Sequence, residues 1–440
     1  MGEAVCSSSS PAAGIPAAAA SPPITSPHLE DSLNAICSHH TVLRILDDWF
    51  HNAHPVAPTV HVSQFMQHVH DGRATRDQEF CSLVISFCAS TVATLPRKAR
   101  DRYPEVTVKK CYIHGSPFLR PPPGSWDKGE RGSASAEPRR DFTYEWCLAK
   151  YNFSTSTMAS GGMDNALGML LLNEAGVGVR HILSYSISML SRVEQEMVKR
   201  LYSLIFLANA TVDLFSRPAT MTFGPGDNDL RHLLPAELPD DALLAEATTW
   251  PSRLTAPTPV TFVPGLNHLS SLFHIWHRTR LRQSCGLLTP DYLREQIQST
   301  RVILDNLPVS LRWRGRLSRP PSSTFGHDVQ MANLYITALH IRSNLLELGS
   351  KLFFTLPAFS EAATAAEHQL IVEDLLEILS HMPTDVFEAN GPSIVPKARD
   401  MGAALHTDGS CAGTLEKLRE LLKAVGALDF WPAGGSMAVS

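Results

Sequence analysis

Hydrophobic side chains recur along this chain at the three-to-four-residue period of an amphipathic helix, and that rhythm leaves little room for a sheet. In HHTVLRILDDWFHNAHP, residues Val42, Ile45, Leu46 and Trp49 fall at i, i+3, i+4 and i+7. Leu43 and Phe50 widen the stripe, and Pro55 ends it. A second helix is expected near Val62, carrying Phe65. A third, over 77–93, is apolar on nearly all sides (Phe80, Leu83, Val84, Ile85, Phe87, Val92) and is expected at the centre of the fold. Segments 142–157 and 162–176 read as an antiparallel pair closed by Gly176 as a C-cap. Residues 192–210 place Val193, Met197, Leu201, Leu204, Ile205 and Ala208 on one face, with Arg192, Glu194, Gln195, Lys199 and Arg200 covering the other. Helical patterning returns at about 266–284, 290–306, 327–355, 364–381 and 414–425, the last through Leu415, Leu418, Leu421, Leu422 and Val425. Strand alternation is sparse, TVKKCYI at 107–113 being its best candidate, and no fixed-period repeat is visible. The expected class is all-α, an irregular array of amphipathic helices.

Three stretches interrupt the pattern. Residues 1–30 are rich in Ser, Pro and Ala and offer too little apolar surface to offset the entropy of ordering, so disorder is expected there. Residues 114–140 read as a Pro-, Gly- and charge-rich loop, and 216–260 as a second weakly structured stretch. That division gives one helical body over 38–380 and a tail, 381–440, carrying a single helix. A content of 44% hydrophobic and 18% charged residues suits a packed body. The net charge of −5 supplies no global attraction for nucleic acid, so such contact would need a local basic patch.

The cysteines, at 6, 37, 81, 88, 111, 147, 285 and 411, form no CxxC, and Cys81 and Cys88 sit inside the apolar run CSLVISFCAS. Buried, reduced thiols of the cytosol or nucleus are expected, not disulfides or structural zinc. The longest apolar runs, such as LGMLLL and LYSLIFLANA, stop short of the roughly 18–20 residues of a membrane span. The first residues lack the basic start of a signal peptide, and Cys6 stands where a myristoylation signal wants Ser or Thr after Gly2. Neither a membrane nor a lipid anchor is expected.

Three segments carry a more specific signal. From Leu43 to Val69 runs a helix, a His-Pro corner (His54, Pro55), a second proline (Pro58), a histidine (His61) and a closing Phe65. From Ser191 to Met221 runs an acidic-then-basic helix with Glu196, Lys199 and Arg200, ending in Arg217-Pro218. The third pairs ILDNLPVSLRW (303–313) with MANLYITALHIRSNLLELGSKL (331–352), a Leu-Pro turn before a long helix. In this order and spacing the segments, spanning roughly 38–380, resemble the middle homology region of fungal zinc-cluster transcription factors. Where that family commonly shows Arg-Arg, Trp, Asp and Gly-Arg-Pro, this chain has Lys199-Arg200, Tyr202, Asn209 and Ser216-Arg217-Pro218.

The resemblance implies the helical regulatory fold of that family, transcription regulation, and a place in the nucleus, with the cytoplasm as a second location. It implies structural roles for His54, Pro55, Pro58, His61, Phe65, Glu196, Lys199, Arg200, Arg217 and Pro218. The family's DNA-reading module needs six closely spaced cysteines and a basic linker, whereas the first 36 residues hold one cysteine. No direct sequence-specific DNA binding is expected from this chain. The expected mode is regulation through protein partners, DNA-bound zinc-cluster relatives or co-regulators among them, or through a small-molecule effector. Two other readings stay open: a DNA-binding factor whose zinc cluster lies upstream of Met1, and a helical enzyme of unrecognised type.

The sequence offers no catalytic or cofactor set to favour the enzyme. His39, His40, His51, His54, His61, His68 and His70 invite a metal, but HExxH is absent and the corner accounts for His54 and His61, so no metal is expected. GSCAG at 409–413 imitates a nucleophile elbow without the strand before it, and no phosphate-cradling glycine loop occurs. Basic runs lie at 96–100 (PRKAR), 278–283 (RTRLRQ) and 312–319 (RWRGRLSR). The last sets Arg312, Arg314, Arg316 and Arg319 around Trp313, a candidate for nuclear import or phosphate contact.

Overall fold

The structure, a computed structural model of the 440-residue chain, describes residues 29–119, 142–217, 233–244, 260–313, 323–404, 413 and 416–420. Its helices are α1 (Leu29–Ile36), α2 (His39–Asn52), α3 (Val62–His70), α4 (Gln78–Thr94), α5 (Pro96–Arg102), α6 (Val108–Gly115), α7 (Tyr144–Gly161) and α8 (Ala166–His181). There follow α9 (Arg192–Leu214), α10 (Asp240–Leu244), α11 (Val263–Ser284), α12 (Pro290–Asp305), α13 (Phe325–Phe353), α14 (Glu361–His381) and α15 (Thr384–Ala404). The described residues contain no strand, so the class is all-α, as the periodicity requires.

Local chemistry sets many helix starts. Ser38, Asp77 and Thr143 each accept a backbone N–H through the side chain, at the N-caps of α2, α4 and α7. Ser191 and Glu194 close a reciprocal capping box on α9, at 3.2 and 2.9 Å. Every residue from Phe80 to Ala89 on α4 is buried, the central position its all-round apolar surface predicts. Helices α2, α6 and α7 pack around it. The long α13 divides two apolar clusters. Leu334, Ala338, Ile341, Leu345 and Leu348 join α1–α9 and α11 in the larger one. Val329, Ala332, Ile336, Leu339 and Leu346 join α14 and α15 in the smaller.

Several expectations need correction. TVKKCYI is not a strand but most of α6: Thr107 caps it, and Cys111 and Gly115 bury one helical face. Gly176 does not end α8, which continues to His181. The glycines of α8 serve close approach instead, since a Cβ on Gly178 would lie 2.6 Å from Cys147 Sγ and one on Gly168 2.4 Å from Met158 Cγ. The helix over 192–210 extends to Leu214, and Arg200, expected on its polar face, is 1% exposed. Helix α10 lies within the weakly structured stretch 216–260, and α1 precedes the first expected helix. The stretch after 380, read as a tail with one helix, carries α15, which packs on α13. Of the helix expected over 414–425, residues 416–420 are helical with Leu418 buried, and the rest lies outside the described residues. So do 120–140 of the expected loop, Cys6, Cys411 and most of GSCAG.

The free thiols Cys37, Cys81, Cys88, Cys111 and Cys147 are buried, while Cys285 is exposed at the end of α11. Burial pushes the Cys37 thiol up to about 11 and those of Cys81 and Cys111 to about 12, so they stay protonated and unreactive near neutrality. No single helix among the described residues is long and apolar enough to cross a membrane.

Candidate functional site

The structure gathers residues from two of the resembling segments into one corner. Helix α2 stops at Asn52, because the His54 N–H skips back to Trp49 O at 3.0 Å, out of the helical register, and Pro55 has no N–H to extend the ladder. The His54 ring settles among Trp49, Phe50 and Phe262, with centroids 5.5, 5.7 and 6.0 Å away. Gln330 of α13 donates to Pro55 O at 2.8 Å and to Phe262 O at 2.6 Å, tying the corner to the start of α11. Gly265 makes that possible, since a Cβ there would sit 2.3 Å from the Gln330 amide.

Arg200 reaches the corner from α9. Its guanidinium donates to Pro58 O at 3.3 Å and pairs with Asp240 of α10 at 2.8 Å. Tyr144 adds a hydrogen bond to Thr59 O. One turn earlier on α9, Glu196 pairs with Lys199 at 2.7 Å and accepts the Ala236 N–H at 2.7 Å. The acidic-then-basic pattern therefore clamps two chain segments, 54–61 and 236–240, onto one helix. His61 caps α3 by accepting the Gln64 N–H at Nδ1, and its Nε2 has no hydrogen-bond partner among the described residues. Phe65 packs 5.0 Å from Phe87 and 5.5 Å from Phe80. A small pocket of about 220 Å³ lies between His54, His61, Arg200, Asp240 and Phe262. Burial, and then the neighbouring Arg200 charge, holds the His54 pKa down at about 3, so its imidazole is neutral at cellular pH.

The remaining expected positions lie elsewhere. Arg217 is exposed just past α9, with its N–H on Val212 O at 3.1 Å, and Pro218 lies outside the described residues. Arg312 is exposed and donates to Leu307 O at 2.6 Å, whereas Arg314, Arg316 and Arg319 lie outside the described residues. The other two basic runs are partly neutralised. Lys98 and Arg102 of α5 pair with the buried Asp48 at 3.1 and 3.0 Å, and Arg280 of α11 pairs with Asp213 at 3.3 Å. Among the described residues no group of three or more His, Cys, Asp or Glu side chains could hold a metal ion.

A second, larger space was not anticipated from the sequence. Helices α7, α9, α11, α13 and α15 leave between them an apolar cleft of about 290 Å³, walled by Tyr151, Met158, Leu207, Phe273 and Val395. Lys397 of α15 stands at its edge, 1% exposed. The Nζ donates to Thr337 Oγ1 at 2.7 Å, Ser393 Oγ at 2.9 Å and Asn333 Oδ1 at 3.4 Å, and lies 5.9 Å from the Phe273 ring centroid. Burial alone brings the Lys397 pKa down to about 7. A signal for this residue does exist in the sequence. Ile394, Ala398 and Met401 are spaced as a helical stripe, and Lys397 falls inside it, where an apolar residue would be expected.

No family model, curated protein or solved structure matches this chain. Its function therefore rests on its own geometry and on the segments already described.

A third pocket, of about 400 Å³ between α3 and the start of α7, carries its own counter-charges. Arg73 there bonds both oxygens of Glu145, at 2.7 and 2.8 Å, and pairs with Asp77 at 2.7 Å. The cleft beside Lys397 has no such acid on its walls among the described residues.

Proposed function

We propose that this chain is a non-catalytic regulator of transcription that acts in the nucleus, through protein partners and a small-molecule effector held in its helical body. The observation that carries the effector is the apolar cleft of about 290 Å³, whose walls come from helices far apart in sequence. Concave, mostly apolar spaces with a few polar groups are where small ligands bind. A molecule bridging α7, α9 and α11 to α15 would bias how these helices pack, the differential contact that a ligand-driven switch requires. Transcription as the process, and zinc-cluster relatives or co-regulators as partners, come from the resemblance of the three segments. The meeting of His54, Pro58 and His61 with Arg200 in one corner supports treating those segments as parts of one unit.

The test is to tether the full chain to a heterologous DNA-binding domain in fungal cells. A reporter gene should change its output relative to the tether alone. Reporter output that ignores the chain, together with exclusion of a tagged chain from the nucleus, would defeat the regulatory reading.

A further inference from the structure

We infer that the cleft binds an apolar carboxylic acid of about a dozen non-hydrogen atoms, with its carboxylate seated on the ammonium of Lys397. This deepens the effector reading and rests on it. The size follows from the volume, since 290 Å³ is about twice a cavity that holds one benzene.

The charge follows from how this molecule treats its other buried cations. Lys150, Arg200 and Arg342 are each less than a tenth exposed, and each pairs with a carboxylate: Glu174 at 2.8 Å, Asp240 at 2.8 Å and Glu367 at 2.7 Å. Lys397 is as buried as Arg200, yet its described partners are two hydroxyls and an amide oxygen. Neutral dipoles solvate a cation but do not neutralise it, and a buried unpaired charge is costly. The other cleft walls carry no Asp, Glu, Arg or His among the described residues. A ligand carboxylate would supply the missing counter-charge, and the apolar walls would take the rest of the ligand.

The surrounding groups agree. Tyr151 of α7, Thr211 of α9, Phe273 of α11 and Asn333 of α13 face the same space uncharged at neutral pH. Farther along, His340 of α13 is engaged by Asp400 of α15 at 2.6 Å, so that acid is not available to Lys397. Arg399 neighbours on α15, Glu388 near its start accepts the Lys98 N–H of α5 at 3.3 Å, and α14 adds Leu375 and Ile378 to the apolar cluster shared with α15. Because burial leaves the free lysine half-protonated near pH 7, binding an anion would draw a proton onto it at higher pH.

Titration calorimetry on the full chain, with matched acids and carboxamides from phenylacetate to 6-phenylhexanoate, tests this. At pH 6.5 the best acid should bind at least tenfold more tightly than its amide. That advantage should fall by up to tenfold per pH unit above pH 7. Lys397→Met should erase the acid preference and keep amide binding. The pH series on the unmodified chain decides the matter if the variant does not fold. Equal binding of acids and amides would overturn the anchor and leave the effector cleft standing, whereas no binding of either at millimolar concentration would overturn both. A borohydride-trapped adduct of Lys397 with the matching aldehyde, formed where the acids fail to bind, would make the lysine an imine former and also overturn the proposal.

Discussion

Replacing His54 by leucine should change how the protein's stability depends on pH. The imidazole is 7% exposed, ringed by Trp49, Phe50 and Phe262, and lies near the Arg200 charge. In the native state it takes up a proton only near pH 3, against 6.5 as the ordinary value. Above pH 6.5 the ring is neutral in both folded and unfolded chains, and its ionisation does not affect stability. Below 6.5 the unfolded chain binds a proton that the native chain refuses, so stability falls by about 1.4 kcal/mol per pH unit until pH 3. At pH 5 the loss is about 2 kcal/mol. Other histidines, the half-buried His274 with a pKa near 4 among them, tilt stability the same way, but they are common to both proteins and cancel in the comparison. Urea unfolding of the wild type and His54→Leu, followed by far-UV circular dichroism at pH 7.5, 6.5, 5.5 and 5.0, isolates the term. The difference between them should move by about 2 kcal/mol in favour of the leucine variant across that range. A difference that stays flat would mean that His54 is protonated in the native state near its ordinary pKa, and the burial argument would fail.

Other changes should act through equally local causes. Arg200→Met should destabilise the fold by about 3 kcal/mol, near the low end for breaking a buried pair, because Asp240 is 22% exposed and can rehydrate. In a double-mutant cycle with Asp240→Asn the two changes should couple by about 0.5–3 kcal/mol, and strict additivity in urea unfolding would refute the ion pair. Ser216 sits at a φ of 56°, a left-handed backbone that glycine adopts without steric cost, so Ser216→Gly should add about 0.5–1 kcal/mol of stability and a loss would contradict the strain. Gly349→Ala should cost about 1–3 kcal/mol through a Cβ placed 2.3 Å from Phe359 Cδ1, and Phe359→Leu should recover part of the loss. Failure of that rescue in thermal unfolding would locate the damage elsewhere.

What the sequence disclosed depended on whether one period dominated a segment. In α2, α3, α4, α9 and α11–α14 the apolar stripe is uninterrupted, and these helices lie close to where the spacing places them. Helix α6 failed that reading because VKKCYI is too short for periods of 2 and 3.6 to separate, and the decision fell to the Thr107 cap and to packing against α4. Helix α15 failed for another reason. Pro392 and Pro396 and the adjoining Gly391 argue against a helix interior by roughly 3 kcal/mol per proline, and only burial against α13 and α14 overrides them. The same override hid two of the buried cations. Arg200 lies beside Lys199 in a run that looks solvated, yet its helix turns it inward to a proline carbonyl and an acid 40 residues downstream. Lys397 occupies an apolar stripe within a helix that its own prolines obscure. A charge inside such a stripe has two ways to survive: a carboxylate from elsewhere in the fold, or one brought from outside. Arg200 shows the first, and an affinity for apolar acids that disappears with Lys397 would establish the second.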